Sequence, residues 1–417
     1  MSSETTTELP EALAEPVVRV RFGWMTLLFL ANIALWLGIY APIQVLLPEQ
    51  AELLDKVGKE TVLSIVMGAG ALVALVVNPL VGQLSDRTCV RYGRRHPWTV
   101  AGAFVALGGL LVLAFAPNVG VMIGGWCLVQ AGLNAMLATL MAAMPDRVPV
   151  AQRAHVGGLV GIAQMLGTVL GAILVGNLPG LAIAYLACGA IVLAGAAAFV
   201  LFTPDARLPV EYRPSATMGQ MARNLWVSPR QYPDFAWAWG CHFMVNLGNA
   251  FGTLYLLFFL TDEVHYSDPV VGLEIMMVLY GVALIAGAAI TGTLSDRSGR
   301  RKPYILMASG VMALAALILV VWPTWPAALA ASPLLGVGFG AYMAVALAML
   351  TQVLPAAQNR AKDLGVINIA SSLPQVVAPM VTPAILAFLG GYPALFGASA
   401  VATLLAIVLV LRVKSVR

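Results

Sequence analysis

One charged stretch occurs twice in the sequence, and its two copies decide the fold. The first copy reads GQLSDR at residues 82–87 and GRRHP at residues 93–97, and the second reads GTLSDR at 292–297 and GRRKP at 299–303. Five residues separate the two parts of the first copy, and one residue separates those of the second. Because the copies lie about half a chain length apart, we predict a protein built from two repeated halves.

The composition around these copies predicts a membrane protein. Of 417 residues, 60% are hydrophobic and 10% are charged, and the mean hydropathy is +0.89. A soluble domain is about half apolar and about one quarter charged. The apolar residues form long blocks, and about 20 apolar residues in a helix are enough to cross the hydrocarbon core of a bilayer. The predicted fold class is therefore all-α and polytopic.

Twelve apolar blocks are long enough to cross the membrane, and we number them spans 1 to 12 in chain order. They cover roughly residues 22–47, 60–84, 98–116, 119–144, 153–175, 178–203, 235–261, 269–294, 304–322, 326–354, 364–389 and 392–412.

A polar, proline-rich and basic segment divides the twelve spans into two sets of six. Within it, Met218, Met221 and Leu225 follow helical spacing, which fits either a short interfacial helix or a solvated connector. The predicted organisation is an N-terminal tail at 1–21, a six-helix half at 22–203, a linker at 204–234 and a second six-helix half at 235–413.

The basic residues predict the orientation. With the N-terminus inside, every lysine and arginine except Lys56 and Lys59 falls on the cytoplasmic side, as the positive-inside rule requires. Residues 1–18 are acidic and polar, and the first apolar block is too long for a cleavable signal peptide. We therefore predict a multi-pass protein of the cell (inner or plasma) membrane with both termini in the cytoplasm.

The repeated loop also suggests a role in conformational change. Asp86 and Asp296 end helices, where the helix dipole disfavours an anion, so they need cationic partners. Arginines can tie several helix ends together, and such a cluster can form in one conformation and break in another. The alternative is simple topological anchoring by basic loops. The gating candidates within the two copies are Asp86, Arg87, Arg94, Arg95, Asp296, Arg297, Arg300 and Arg301.

The two copies resemble the signature loop of the major facilitator superfamily. The longer spacer in the first copy is similar to that of the sucrose–proton symporters and the glycoside–pentoside–hexuronide cation symporters. Further similarity lies in DLGVINIA at 363–370, which LPQ at 373–375 follows, and in DRVP at 146–149 with Arg153. The resemblance implies twelve helices in two pseudo-symmetric halves and transport by alternating access.

The same resemblance implies specific contacts at the loops. Asp86 and Arg87 would lock against the start of span 11 near Asp363, with Arg94 and Arg95 supporting them. The second copy would lock against span 5 in the same way. Span 2 lacks the acidic residues of the melibiose-type sodium symporters, and span 5 lacks the Gly-Pro motif of the drug–proton antiporters. These departures argue against sodium coupling and drug efflux of those kinds.

Polar and aromatic residues in the middle of the spans are candidates for binding a solute. A polar side chain that faces lipid is costly, so these groups are expected to face the protein interior. Amides beside aromatic rings suit a polyhydroxyl ligand, although the same amides also serve as hydrogen bonds between helices. The candidates are Asn32, Trp36, Tyr40, Gln130, Asn134, Gln164, His242, Asn246, Asn249, Tyr280, Tyr342 and Gln375.

Two ionisable residues inside the spans are candidates for binding a proton. Glu274 is the only acidic residue inside a span, and His242 is the only histidine well inside one. An ionisable group within the membrane is a functional candidate. Glu274 lies near the outer end of its span and is equally compatible with a solvated surface position, and His242 is equally compatible with a structural hydrogen-bonding role.

The sequence therefore predicts a secondary active transporter for a small polar organic solute, most specifically a sugar or glycoside in symport with protons. The alternatives are a uniporter, an exporter of another small metabolite or drug, and a non-transporting membrane sensor or assembly factor. No P-loop, CxxC pair or metal-binding motif is present. We accordingly predict no enzymatic activity, no cofactor or metal, no nucleic-acid partner, and a monomer in the lipid bilayer.

Overall fold

The computed structural model describes residues 10, 12–14, 16–213, 230–353 and 360–415. Within these residues it contains helices and no β-strand. Ten of the twelve spans are continuous α-helices, namely Lys59–Asp86 (span 2), His96–Ala114 (span 3), Val119–Arg147 (span 4), Val150–Gly176 (span 5), Leu181–Phe202 (span 6), Pro269–Ser298 (span 8), Lys302–Val321 (span 9), Trp325–Gln352 (span 10), Arg360–Phe388 (span 11) and Gly391–Arg412 (span 12).

The first span of each half is interrupted near one end. Span 1 consists of an α-helix Phe22–Ala41, a π-helical turn Pro42–Leu46 and a second α-helix Leu47–Leu54. Span 7 consists of Pro233–Thr253 and Leu256–Asp262. A hydropathy profile shows one continuous span at each break, because the residues on both sides of the break are apolar.

The all-α polytopic prediction is confirmed, since the described residues include twelve helices long and apolar enough to cross a membrane. The expected interfacial helix around Met218, Met221 and Leu225 lies outside the described residues. We call the face at which span 1 begins and span 12 ends the terminal face, and the opposite face the distal face.

The two halves pack in the same pattern. In the first half, span 1 packs against spans 5 and 6, and span 4 packs against spans 2 and 3. In the second half, span 7 packs against spans 11 and 12, and span 10 packs against spans 8 and 9. Between the halves, span 2 contacts span 11 and span 8 contacts span 5. These contacts are the ones expected for two parallel repeats related by a pseudo-twofold axis.

Glycines at equivalent positions allow the close helix contacts in each half. A Cβ added at Gly132 of span 4 would overlap the backbone of both Gly102 and Ala106 of span 3. A Cβ added at Gly338 of span 10 would lie 2.6 Å from Met312 Cγ and 2.9 Å from the Ala308 carbonyl oxygen of span 9. Small residues let membrane helices approach this closely, so the repeat extends from the loops into the packing.

Candidate functional site

The most extensive polar network inside the membrane centres on His242 of span 7. Its side chain is 4% exposed. His242 Nδ1 lies 2.7 Å from the Tyr342 hydroxyl of span 10, and His242 Nε2 lies 2.8 Å from Ser371 Oγ of span 11. Both ring nitrogens are therefore hydrogen-bonded to hydroxyl groups, and one imidazole joins three spans of the second half.

Two asparagines continue this polar face along span 7. Asn246 Nδ2 donates to the His242 carbonyl oxygen at 2.8 Å. Asn249 Oδ1 accepts a hydrogen bond from the Tyr280 hydroxyl of span 8 at 3.0 Å. The predicted residues of the second half thus form two bonded groups, His242 with Tyr342 and Asn246, and Asn249 with Tyr280, and Gln375 is half-buried on span 11.

The predicted residues of the first half form two smaller groups. The rings of Trp36 and Tyr40 on span 1 stack, with their centroids 5.8 Å apart, and the Tyr40 hydroxyl interacts with Gln164 of span 5. On span 4, Asn134 Nδ2 donates to both the side-chain and backbone oxygens of Gln130 at 2.9 Å. The two groups sit on the spans that correspond to spans 7, 10 and 11 of the second half.

Several buried polar atoms of the first half have no hydrogen-bond partner among the described residues. On span 1 these are Trp24 Nε1, Asn32 Oδ1, Trp36 Nε1 and Gln44 Oε1, and on span 4 there is Trp126 Nε1. Asn32 uses only its Nδ2 group, which donates to the Leu28 carbonyl oxygen. A buried polar group without a partner is costly, so these atoms mark the places where a polar ligand or water gains most.

The two halves meet near two tyrosines. Tyr40 of span 1 and Tyr280 of span 8 lie near each other. Aromatic rings and amides from both halves therefore border the interface between them. Such a lining can hydrogen-bond hydroxyl groups while packing against an apolar face of a ligand.

Glu274 lies apart from this group. Its Oε1 atom is 3.4 Å from Asn177 Nδ2, at the distal ends of spans 8 and 5. Its carboxylate thus lies at the distal mouth of the protein. The middle parts of the spans contain no aspartate, glutamate, lysine or arginine.

The distal face is closed by polar contacts between the halves. Lys59 at the start of span 2 is 6% exposed, and its Nζ lies 2.7 Å from Asp262 Oδ1 and 3.4 Å from Glu52 Oε1. Below it, Ser64 Oγ lies 2.7 Å from the Tyr255 hydroxyl. Because Asp262 and Tyr255 belong to span 7, these contacts hold the halves together at the distal face.

At the terminal face, the first copy of the repeated loop is bonded within its own half. Arg95 pairs with Asp86 at 2.6 Å and with Asp146 at 2.8 Å, and Arg94 pairs with Asp146 at 2.6 Å. Asp205, just after span 6, accepts hydrogen bonds from the backbone N–H groups that open span 3. Burial alone would lower the pKa of Arg95, but the Asp146 and Asp86 carboxylates outweigh burial and raise it.

The second copy repeats one contact of the first. Arg301 Nη1 donates to Ser295 Oγ at 2.7 Å, as Arg95 Nη1 does to Ser85 Oγ in the first copy. Arg297 and Arg300 are exposed. The side chains of Asp296 and Asp363 lie outside the described residues, so the proposed locks against spans 5 and 11 stay predictions. Arg87 is half-buried at the terminal face.

The candidates predicted from the sequence do not include Gln44, Trp126, Asp205 or the Lys59–Asp262 pair. Lys59 carried a signal, since it is one of two basic residues on the distal side. Gln44 extends the spacing of Asn32, Trp36 and Tyr40 by one more helical turn. Nothing in the sequence indicates that Asp262 forms an ion pair, because its partner Lys59 is 203 residues away.

Solved structures of similar fold support this architecture. The chain is similar to a peptide transporter POT in complex with sulfate, with a TM-score of 0.73, 14% identity and coverage of 96% of this chain and 97% of that one. It is also similar to a peptide transporter POT in complex with alafosfalin, with a TM-score of 0.72, 14% identity and coverage of 93% and 94%. At this identity the likeness shows the fold alone.

Shorter segments are similar to curated transporters. One segment is 42% identical over 57 residues to the sucrose transport protein SUC4 of Arabidopsis thaliana, covering 14% of this chain and 11% of that protein. Another is 25% identical over 128 residues to the general alpha-glucoside permease of Schizosaccharomyces pombe, covering 26% and 23%. A third is 38% identical over 95 residues to a triacylglyceride transporter of Mycolicibacterium hassiacum, covering 23% and 17%. Each match spans less than a quarter of the relative's length.

The sequence profile described as Major Facilitator Superfamily matches residues 24–260 and 238–417, and so covers nearly the whole chain. The profile, the twelve spans and the pseudo-symmetric packing agree with the resemblance seen in the repeated loop. This chain belongs to the Major Facilitator Superfamily.

Proposed function

We propose that this protein moves a sugar or glycoside across the cell membrane by alternating access, in symport with protons. The observation that carries the proposal is the uncharged lining between the halves. Trp36 and Tyr40 offer stacked rings, while Asn32 and Asn249 offer amides on opposite sides of the interface. A neutral polyhydroxyl solute matches this chemistry, whereas a charged solute would lack a counter-ion there.

The segments that resemble a sucrose transport protein and an alpha-glucoside permease support the same cargo. The orientation rests on charge. With the terminal face in the cytoplasm, Lys56 and Lys59 are the only basic residues outside, and positive charge is retained inside. A structure closed at the distal face then corresponds to a state closed to the outside.

His242 is the residue that we propose binds the coupling proton. It is buried, and its two ring nitrogens contact hydroxyl groups that can each donate or accept, so the network can accommodate either the neutral or the charged imidazole. Glu274 remains the alternative at the distal mouth. Because His242 joins spans 7, 10 and 11, a change in its charge would alter the packing of three spans together.

Uptake into proteoliposomes tests the proposal. Labelled sucrose, maltose and glucose should accumulate when an inward proton gradient is imposed, and sugar exchange without a gradient should continue in His242→Gln while accumulation is lost. Glu274→Gln is the matched comparison, and it should still accumulate sugar. Failure of every sugar to enter would refute the sugar function, and uptake indifferent to the gradient would refute proton coupling.

A second cargo class is favoured by one observation, the segment similar to a triacylglyceride transporter. An acyl chain against Asn32, Trp36 and Gln44 would leave their buried polar atoms without partners, which is unfavourable. Export of labelled triacylglycerol from loaded proteoliposomes, in the absence of any sugar uptake, would establish that alternative.

A further inference from the structure

We propose that Gln44 is a substrate-binding residue whose side-chain carbonyl accepts a hydrogen bond from a substrate hydroxyl at the distal part of the interface between the halves. The proposal rests on the proposed sugar function and adds a contact that the mid-membrane candidates do not include.

The backbone at Gln44 is irregular. Residues Pro42–Leu46 form a π-helical turn in which the Leu47 N–H bonds to the Pro42 carbonyl five residues back. Proline lacks the N–H that a regular helix requires at this point. π-helical turns are rare and are frequent at functional sites, where they redirect side chains. The turn interrupts the regular helix at Gln44, whose side chain contacts Met277 of span 8.

The side chain of Gln44 is buried but only weakly bonded. It is 9% exposed, and its Nε2 atom lies 3.2 Å from the Met277 sulfur of span 8. A thioether is a weak acceptor. The Oε1 atom is buried and has no partner among the described residues. A carbonyl oxygen with this environment is ready to accept from a donor that the protein itself does not supply.

Gln44 also lies where a substrate would contact both halves. It follows Asn32, Trp36 and Tyr40 at intervals of one helical turn along span 1. Its neighbour Met277 is about one turn of span 8 from Tyr280, whose ring borders the interface. Gln44 thus stands at the distal end of a series that includes the stacked rings. A sugar whose apolar face packs on those rings would turn its hydroxyl groups toward such an acceptor.

Gln50 provides a matched control on the same segment. It is 5% exposed, but both of its polar atoms are occupied. Gln50 Nε2 donates to the Leu113 carbonyl at 2.8 Å, and Gln50 Oε1 accepts from the Tyr185 hydroxyl at 2.8 Å. Two buried glutamines six residues apart therefore differ in one respect, since Gln50 is satisfied within its half and Gln44 is not.

The test compares Gln44→Met with Gln50→Met in the purified full-length protein. Binding of sucrose, maltose and glucose is measured by calorimetry, and thermal stability is measured by tryptophan fluorescence. We expect Gln44→Met to weaken sugar binding about fivefold to tenfold with an unchanged melting temperature. We expect Gln50→Met to lower the melting temperature with an unchanged dissociation constant.

Deoxy analogues of the bound sugar then identify the contact. One analogue should bind the wild type more weakly than the parent sugar and should lose that disadvantage in Gln44→Met, which is the signature of a direct hydrogen bond. Unchanged affinity in Gln44→Met, or an equal penalty for every analogue in both proteins, would overturn the role of Gln44 alone. Wild-type protein that binds none of the sugars would overturn the sugar function and this contact with it.

Discussion

The two halves share one packing pattern but treat their buried polar groups differently. In the second half, His242 bonds to Tyr342 and Ser371, and Asn249 accepts from Tyr280. In the first half, polar atoms on spans 1 and 4 are buried without a partner among the described residues, namely those of Trp24, Asn32, Trp36, Gln44 and Trp126. Spans 7, 10 and 11 bond His242 to their own hydroxyl groups, whereas spans 1 and 4 leave atoms available; elsewhere in the second half, Ser309 Oγ of span 9 also lacks a partner among the described residues.

This difference suggests a division of labour. A bonded network holds spans 7, 10 and 11 in one arrangement and can change when its histidine changes charge. Unpartnered donors and acceptors gain most from a ligand, because they have already lost their contacts with water. We infer that the first half supplies most of the binding atoms and the second half most of the conformational response.

The terminal face of the first half is held by charged contacts. They use three carboxylates, those of Asp86, Asp146 and Asp205. In the second copy of the loop, Arg301 donates to Ser295 Oγ as Arg95 donates to Ser85 Oγ. The first half is therefore held together at its terminal face by ion pairs to the buried Arg94 and Arg95.

Removing a carboxylate from the terminal face of the first half should have the largest effect on stability. Asp146→Asn deletes the ion pairs to Arg94 and Arg95, both of which are buried. Breaking a buried ion pair from one side costs about 3 kcal/mol of folding free energy. We expect a large loss in the melting temperature of the purified protein. Glu211→Gln, in an exposed turn after span 6, serves as the control and should leave the melting temperature unchanged.

Disrupting the hydrogen-bonded network around His242 should have the next largest effect on stability. His242→Ala leaves the Tyr342 hydroxyl and Ser371 Oγ without their partner, which we expect to cost about 2 kcal/mol of stability. Asn32→Leu in the first half should cost little stability, because Asn32 Oδ1 has no partner to lose and Nδ2 donates only within its own helix, to the Leu28 carbonyl. Chemical denaturation of both variants measures the difference. Equal destabilisation by the two substitutions would contradict the contrast between the halves.

Removing the Lys59–Asp262 ion pair at the distal face should have a smaller effect, on the equilibrium between the distally closed and distally open states. Lys59→Met removes the ion pair with Asp262. We expect the free-energy difference between the distally closed and distally open states to shift by about 1 kcal/mol toward the open state, which raises the population of the open state about fivefold. Ser64, beneath the pair and 4% exposed, reports this opening when it is replaced by cysteine in a background without the native cysteines. A membrane-impermeant maleimide measures its labelling rate.

A charge exchange provides the control for that experiment. Lys59→Asp combined with Asp262→Lys restores opposite charges at the same pair of positions, so labelling of the Ser64→Cys reporter should return toward the slow rate of the parent protein. Equal labelling in the parent, Lys59→Met and the exchanged protein would show that the pair does not hold the distal face closed.

Much of the fold follows from the sequence alone. Blocks of about 20 apolar residues require membrane helices, and the duplicated loop requires two similar halves, so both predictions follow from strong local constraints. The breaks within spans 1 and 7 were not predicted, because residues such as Pro42 and Tyr255 interrupt the helix without interrupting its hydropathy.

The site is less predictable, for a physical reason. Sequence spacing places Asn32 and His242 at mid-membrane depth, but whether their polar atoms are bonded depends on which spans pack beside them. His242 meets Tyr342 and Ser371, which are 100 and 129 residues away in sequence. The difference between the halves therefore emerges only from tertiary packing, and a residue such as Gln44 is identified by the partner it lacks.

The smallest predicted effect isolates a single N–H group in each half. Trp36 stacks on Tyr40, and its Nε1 has no partner among the described residues. Trp239 stacks on Phe243 in the same way, with centroids 5.7 Å apart, but its Nε1 donates to the Val366 carbonyl at 2.8 Å. Replacing each tryptophan by phenylalanine keeps the aromatic ring and removes the N–H group.

Trp36→Phe should therefore weaken sugar binding about fivefold without lowering stability, because a hydrogen bond to the ligand is lost and none within the protein. Trp239→Phe should lower stability by about 1 kcal/mol without changing affinity, because the Val366 carbonyl loses its donor. Calorimetric titration with the transported sugar and thermal unfolding of the same two samples measure both quantities. If Trp239→Phe weakened binding as much as Trp36→Phe, the unpartnered atoms of the first half would have no special part in recognition.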